Sequence, residues 1–268
     1  MMSVSKIEVA SEDNGKGEYR APAAEKVLDI LEFMAGQPDG LTQTEISTGL
    51  GRSIHEIYRI LLLLEKRGYL VRTRSDRIRL SLKLFELAHM HPPVNRLIER
   101  ALPIMRDLAA NTDQSCHLAV LDDVKVMIAL QVDSPLPMRY SVALGSRFPV
   151  METSSGAVLL AGQPIQEREA AIARIVDSGD AYGSRQEIEE RFTKIGELGY
   201  EMHASLVVDA CINISLPVCD HTGLVIAALT VPFLPQKQAR FDREEVLKKT
   251  IEAAGRISAA LGAPERLL

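Results

Sequence analysis

Two hydroxyl-x-x-Glu signatures eleven residues apart, Thr42 with Glu45 and Ser53 with Glu56, constrain this chain more than any other feature in it. In each, the hydroxyl accepts the N–H three residues on and the Glu reaches back to the cap, so each signature fixes the first residue of a helix. Gly49 or Gly51 closes the first of these, leaving "QTEISTGL" barely two turns before the next helix begins. Ahead of them Pro22 opens a helix in which Val27, Leu28, Leu31 and Met34 or Ala35 recur at helical spacing until "GQPDG" ends it. In the third helix Ile57, Ile60, Leu61 and Leu64 form one stripe, so the leucine run at 61–64 reads mostly as core. Gly68 ends that helix, and "YLVRTRSDRIRLS" predicts two short strands about a turn at Ser75 and Asp76. Three helices with a short second one, followed by a hairpin, describe a winged helix-turn-helix over residues 21–82.

Charge says what such a module would grip. The chain carries a net charge of -5, yet residues 52–83 hold nine Lys or Arg against three acids, a local +6 that leaves -11 elsewhere. That segregation is the footprint of a polyanion-binding module on an acidic body. The capped start of the third helix places Arg52, Ser53, His55 and Tyr58 at base edges or in the groove, with Thr42 and Gln43 of the second helix beside them. Arg59 and the hairpin residues Arg72, Arg74, Arg77 and Arg79 are the candidates for phosphates. The plainer alternative is a solvated basic face on a winged helix that docks a protein partner, which would make the chain a metabolite-sensing scaffold.

Residues 1–20 are polar and read as a flexible tail, and 82–111 as a helix interrupted at Pro92-Pro93, with a linker helix over 83–98 and a second domain over 99–265. In that domain "SCHLAVLDDVKVMIALQVDS" and "MRYSVALGSRFPV" read as strands, "SSGAVLLAG", "QEREAAIARIVDSG" and "RQEIEERFTKIGELGY" as helices. A hairpin turning at Asp220–Gly223 and a long terminal helix complete an α+β sensor fold. No apolar run approaches the ~20 residues that cross a bilayer, and the N-terminus lacks a secretory core, so the chain is expected in the cytoplasm with no membrane partner. Cys116, Cys211 and Cys219 form no CxxC pair and read as reduced thiols. His117 and His203 have no ligand spacing with each other or with a cysteine, and His89 and His91 read as linker surface, so no metal or other cofactor is expected. "TSSGA" is not a nucleophile elbow and no acid is placed to orient a base, so no catalytic residues and no enzyme activity are expected.

The blocks "EKVLDILEFMAG", "LTQTEISTGLG" and "IYRILLLLEKRGYL", followed by "LGSRFPVMETSSGAVLLAG", "GELGYE", "INISLPVCDHTGLVIAALTV" and "AAGRISAALG", resemble the IclR-type family of bacterial transcriptional regulators over about residues 20–262. The resemblance implies an N-terminal winged helix on double-stranded operator DNA, a linker helix and a C-terminal GAF-like effector-binding domain. It further implies a homodimer or dimer of dimers and a small organic metabolite as effector, with repression of a catabolic operon the expected role. Thr153, Ser154, Ser155 and Gly156, after Met151, stand at the start of an apolar helix whose free N–H groups make an anion or carbonyl seat. By resemblance this loop is one wall of the pocket, and the opposite wall brings His203, Asn213 and Thr230 near the ligand, with His117 on the early strand a further candidate. The chain departs from the family's usual pattern at Ala157, Leu206 and Ala210, which alters the charge expected in the pocket.

Overall fold

The structure is a computed structural model that describes residues 21–89, 92–177, 183–206, 208–237 and 240–264. The tail at 1–20, His91 and the side chain of His89 lie outside the described residues. Two compact units divide the chain, Met1–Met90 and His91–Leu268.

In the first unit both capping boxes form, Thr42 opening α2 (Gln43–Leu50) and Ser53 opening α3 (Ile54–Lys66), with Gly51 left-handed between them at φ 63°. α1 (Pro22–Ala35) contributes Ile30 and Met34 to a core completed by Ile46, Ile57, Leu61, Leu64, Leu70 and Ile78. The hairpin is β1 (Leu70–Arg72) against β2 (Ile78–Leu80), turning through Asp76 at φ 60°. Leu41 adds a rung that the sequence did not announce, exchanging backbone hydrogen bonds of 2.8 and 2.7 Å with Ile78. The leucine run corrects the expectation of a mostly buried stretch: Leu61 and Leu64 are buried, but Leu62 and Leu63 are 43% and 50% exposed. Four consecutive helical residues sweep almost a full turn, so they cannot share one face.

The stretch 82–111, expected as a helix interrupted at Pro92-Pro93, is two elements, α4 (Lys83–His89) and α5 (Pro92–Thr112), and Leu97, Ala101 and Met105 of α5 are buried in the core of the second unit. That unit is built on an antiparallel sheet of six strands in the order β5-β4-β3-β8-β7-β6. The strands are β3 (Cys116–Asp122), β4 (Lys125–Val132), β5 (Arg147–Pro149), β6 (Glu201–Ala204), β7 (Ile212–Cys219) and β8 (Val225–Phe233). The stretch "MRYSVALGSRFPV", expected as strand, is extended and paired only at β5; Pro137 before it and Gly145 at φ 78° within it keep the rest a loop. The centre of the sheet joins β3 to β8, pairing His117 with Thr230.

Alternation along each strand sorts the side chains between two faces. Cys116, Leu118, Leu229, Val231, Ile214 and Leu216 pack under α5 and α9 (Arg243–Ala260). Ala119, Ile128 and Ala228 meet the opposite layer of α6 (Ser154–Ala161), α7 (Ile165–Asp177) and α8 (Arg185–Leu198). His117, Ser215 and Thr230 interrupt this second apolar face with polar groups, and all three are buried. The three cysteines are free and buried. Asp113, at φ 57° just past α5, accepts from Arg240 through N, Nε and Nη2 at 2.8–3.1 Å, which ties the end of that helix to the segment before α9.

Candidate functional site

On α3 the buried residues Ile57, Leu61 and Leu64 leave an outward stripe of His55, Tyr58, Arg59, Leu62 and Lys66 at helical spacing, all exposed. Two ion pairs from α1 brace the start of this helix: Lys26 Nζ to Glu56 at 3.1 Å and Asp29 to Arg52 at 2.5 Å. Glu56 also accepts from the Ser53 backbone N–H, and that bond, with Lys26 and the Ser53 hydroxyl, holds its carboxyl down at about 2.

The arginines divide into two groups. Arg52 is held by Asp29, Arg72 by Glu65 and Asp76 at 2.7 and 2.8 Å, and Arg77 by Glu45 and the Gly40 carbonyl, so these three lock the hairpin and helices to one another. Arg59, Arg74 and Arg79 are exposed and have neither an acidic nor a hydrogen-bonding partner among the described residues. Thr42 and Ser53 use their hydroxyls as helix caps, while Gln43, His55 and Tyr58 keep their polar ends free among the described residues. Leu62 is the member of this face that sequence reasoning missed, because the leucine run drew it into the core; counting the helical repeat out from Ile57 would have found it.

In the second unit a cleft of about 50 Å³ opens between the sheet and the start of α6. His117, Asn213 and Thr230 form its floor, Thr153, Ser154 and Ser155 the α6 side, and Ile128, Tyr140, Val142, Phe148, Glu152, Ser205 and Leu206 the remainder. Thr153 caps α6, its hydroxyl accepting from Gly156 N–H at 3.0 Å and from the Ser155 hydroxyl at 3.3 Å. The first-turn N–H groups of Ser154 and Ser155 then stand at the cleft with the positive end of the helix behind them. Among the described residues no Lys or Arg lines the cleft.

Three expected members lie elsewhere. Met151 is buried in the core, and only its carbonyl is engaged, by Arg191. Gly156 lies under the helix start, where a Cβ would come within 1.9 Å of the Val150 carbonyl oxygen, so the position requires close approach of backbone. His203 sits opposite Asn213 on the edge strand β6, is exposed, and has its Nδ1 2.7 Å from the Ala204 carbonyl. Three strand spacings, about 14 Å, separate it from β3, so His117 and His203 do not converge. Among the described residues no group of three or more His, Cys, Asp or Glu is placed to hold a metal.

Of the departures in sequence, Ala157 is buried in the α6 core, Leu206 lines the cleft with an apolar surface, and Ala210 adopts a left-handed φ of 61°. Tyr140 was missed because its loop reads as strand, although an aromatic among sparse aromatics was the available signal.

Arg191 of α8 organises the α6 entry. It meets Glu201 of β6 in a two-pronged pair at 2.5 and 2.8 Å and donates to the carbonyls of Met151 at 2.9 Å and Thr153 at 3.4 Å. Arg191→Met is expected to cost about 2 kcal/mol, because it leaves the buried Glu201 carboxylate without its charged partner. Adding Glu201→Gln should recover a large part of that loss, as read by chemical denaturation of the single and double variants.

His117 is 7% exposed, and burial pulls its imidazole down from 6.5 to about 4. With the folded value below the unfolded one, the unfolded chain binds the extra proton between those limits. Stability is therefore intact above pH 6.5 and declines as pH falls toward 4. Denaturation at pH 7 and pH 4.5 should show about 2 kcal/mol of acid sensitivity that disappears in His117→Gln.

The family model described as the IclR helix-turn-helix domain matches residues 23–74, and the one described as bacterial transcriptional regulator IclR C-terminal matches residues 93–259. The chain is 28% identical over 241 residues to the HTH-type transcriptional regulator KdgR of Dickeya chrysanthemi, covering 88% of this chain and 79% of that one. The crystal structure of Thermotoga maritima IclR aligns with a TM-score of 0.69 at 22% identity, over 89% of this chain and 98% of that chain. An IclR homolog from Microbacterium hydrocarbonoxydans, solved in complex with 4-hydroxybenzoate, aligns with a TM-score of 0.68 at 23% identity, again over 89% and 98%. At these identities the two solved structures speak for the fold.

Proposed function

The chain belongs to the IclR family of bacterial transcriptional regulators, and on that premise we propose that it represses a catabolic operon and releases DNA when a compact organic acid enters the cleft beneath α6. α3 enters the major groove with His55, Tyr58 and Leu62 at base edges, Leu62 suited to a thymine methyl. Arg59, Arg74 and Arg79 take phosphates, and Gln43 lies beside them at the start of α2. The observation that carries this reading is that these three arginines lack an acidic partner among the described residues, whereas Arg52, Arg72 and Arg77 each have one.

The regulator works in the cytoplasm as a homodimer or dimer of dimers, its α3 helices spaced about 34 Å or a multiple apart for paired half-sites. No described helix is long and apolar enough to cross a membrane. No catalytic step is assigned to the chain, since the relatives it matches are regulators. In the cleft, the α6 N-terminus receives the acid group and Ser154, Ser155, Asn213 and Thr230 its polar neighbours. An effector that binds one dimer geometry better than the other shifts the balance away from the DNA-bound form.

Fluorescence anisotropy on a duplex from upstream of the chain's own gene tests the reading. With three phosphate contacts per protomer, affinity should fall about a thousandfold between 50 and 200 mM salt. Failure to bind that duplex even at 50 mM salt would hand the winged helix to a protein partner instead.

A further inference from the structure

His117 brings a buried polar side chain to the floor of the cleft. It is 7% exposed, lines the cleft beside Thr230, and its Nδ1 is buried without a hydrogen-bond partner among the described residues. Native structures seldom leave such an atom orphaned, and an orphan at the floor of a cleft asks for a ligand.

The charge inventory of the same cleft is lopsided. Among the described residues it is lined by no Lys or Arg and by one carboxylate, Glu152 of the short turn before α6. The other groups around the imidazole are neutral. Gln131 stands opposite it on β4, Thr230 opposite it on β8, and Ser154 and Ser155 come from α6. Tyr140 closes the side toward β5, and burial pushes its phenol and the neighbouring Cys211 thiol up, the thiol to about 11. A helix end supplies only about half a unit of positive charge. An acid seated at α6 is therefore undercompensated and has Glu152 beside it, and His117 is the lining group that can become a cation.

We infer that His117 is the counter-ion of the effector site, neutral in the free protein and protonated when an acid is bound, so that each acid group enters together with a proton taken from solvent. This rests on the effector-cleft reading above and adds the charge that balances the ligand. In the free protein burial holds the ring at about 4. A carboxylate in contact with the ring favours its charged form and raises that value by about 2 units. Once protonated, both ring nitrogens donate, so whichever one turns to the ligand meets a carboxylate oxygen as a donor. Between the free and the bound values the complex holds more protons than its separated parts. Affinity for the acid thus climbs as pH falls through that window and levels off on either side of it. An amide of the same shape brings no charge and takes up no proton.

Isothermal titration of the full chain with lactate and benzoate, each beside its amide, in two buffers of different ionisation enthalpy tests this. At about pH 5 the acids are expected to take up roughly three-quarters of a proton per molecule bound, and their ionised forms to bind about tenfold more tightly than at about pH 7.5. The amides should show neither effect. His117→Gln should abolish the proton uptake and the pH dependence together. If that variant does not fold, the imidazole resonances of His117 carry the test, their titration midpoint moving up by about 2 units when benzoate is present.

Acids that bind without proton uptake, a pH dependence that survives His117→Gln or is shared by the amides, or an imidazole midpoint that stays put with acid bound would each overturn the inference and leave the cleft reading standing. Asn213→Phe, which fills the cleft from its floor, tests that reading itself. Acid binding unaffected by it would remove the effector from the cleft, and failure of both acids to bind at about 20 mM, a millimolar ceiling far above useful affinity, would remove both claims.

Discussion

Gly156→Ala lowers the melting temperature of the second unit by about 6–12 °C and abolishes the response to effector: this is the expected result of adding one methyl group beneath α6. The new carbon would sit 1.9 Å from the Val150 carbonyl oxygen and 2.6 Å from its carbon. Both are backbone atoms of the short 3-10 turn Val150–Glu152, so no side chain can swing aside. Relief requires the turn and α6 to separate, an overpacking cost of at least about 3 kcal/mol. In a unit of this size each kcal/mol moves the midpoint by about 2–4 °C. The same separation would pull Thr153 from its cap and scatter the first-turn N–H groups that line the cleft. Scanning calorimetry checks the first part and effector-induced DNA release the second; an unchanged midpoint would mean that the turn and the helix do not approach as described.

Replacing Arg59, Arg74 and Arg79 together by alanine should reduce affinity for operator duplex several hundredfold at about 0.1 M salt and flatten the plot of log affinity against log salt by about 2.7 per protomer. Folding stability should barely move, because none of the three has an internal partner among the described residues. Arg72→Met supplies the contrast. It loses its contacts with Glu65 and Asp76 on a partly exposed surface, which is worth at most about 1 kcal/mol of stability, and the salt slope should stay close to that of the parent. Salt-dependent anisotropy on both variants decides the matter, and equal slopes would refute the division of the arginines into structural and DNA-facing sets.

Much of the first unit was legible because its signals are local. A hydroxyl and a glutamate three residues apart, or a glycine after the last apolar position, act within one turn of chain, and Thr42, Ser53 and Gly51 all behave as read. Which arginine meets which acid was not legible. Asp29 and Arg52 are separated by 23 residues, and only the packing of α1 against α3 brings them together. In the second unit the Thr153–Ser155 helix start was readable from composition, whereas Gly156 and Met151 belong to the turn's packing, which alternation of polar and apolar residues does not encode. Asn213 and Thr230 were placed by resemblance and do line the cleft; His203, placed the same way, sits opposite Asn213 but on an edge strand one step too far out. The loop carrying Tyr140 was misread since its β-formers outweigh the Pro137 and Gly145 that break it.

The junction of β3 with β8 has a temporal consequence. His117 and Thr230, neighbours at the middle of the sheet, are more than a hundred residues apart along the chain, so closing that pair is a slow, long-range event. During synthesis the first unit, whose contacts are short in sequence, is complete on the ribosome well before the strand that finishes the cleft has been made. A newborn chain would thus acquire its grip on nucleic acid ahead of its ability to be told to let go.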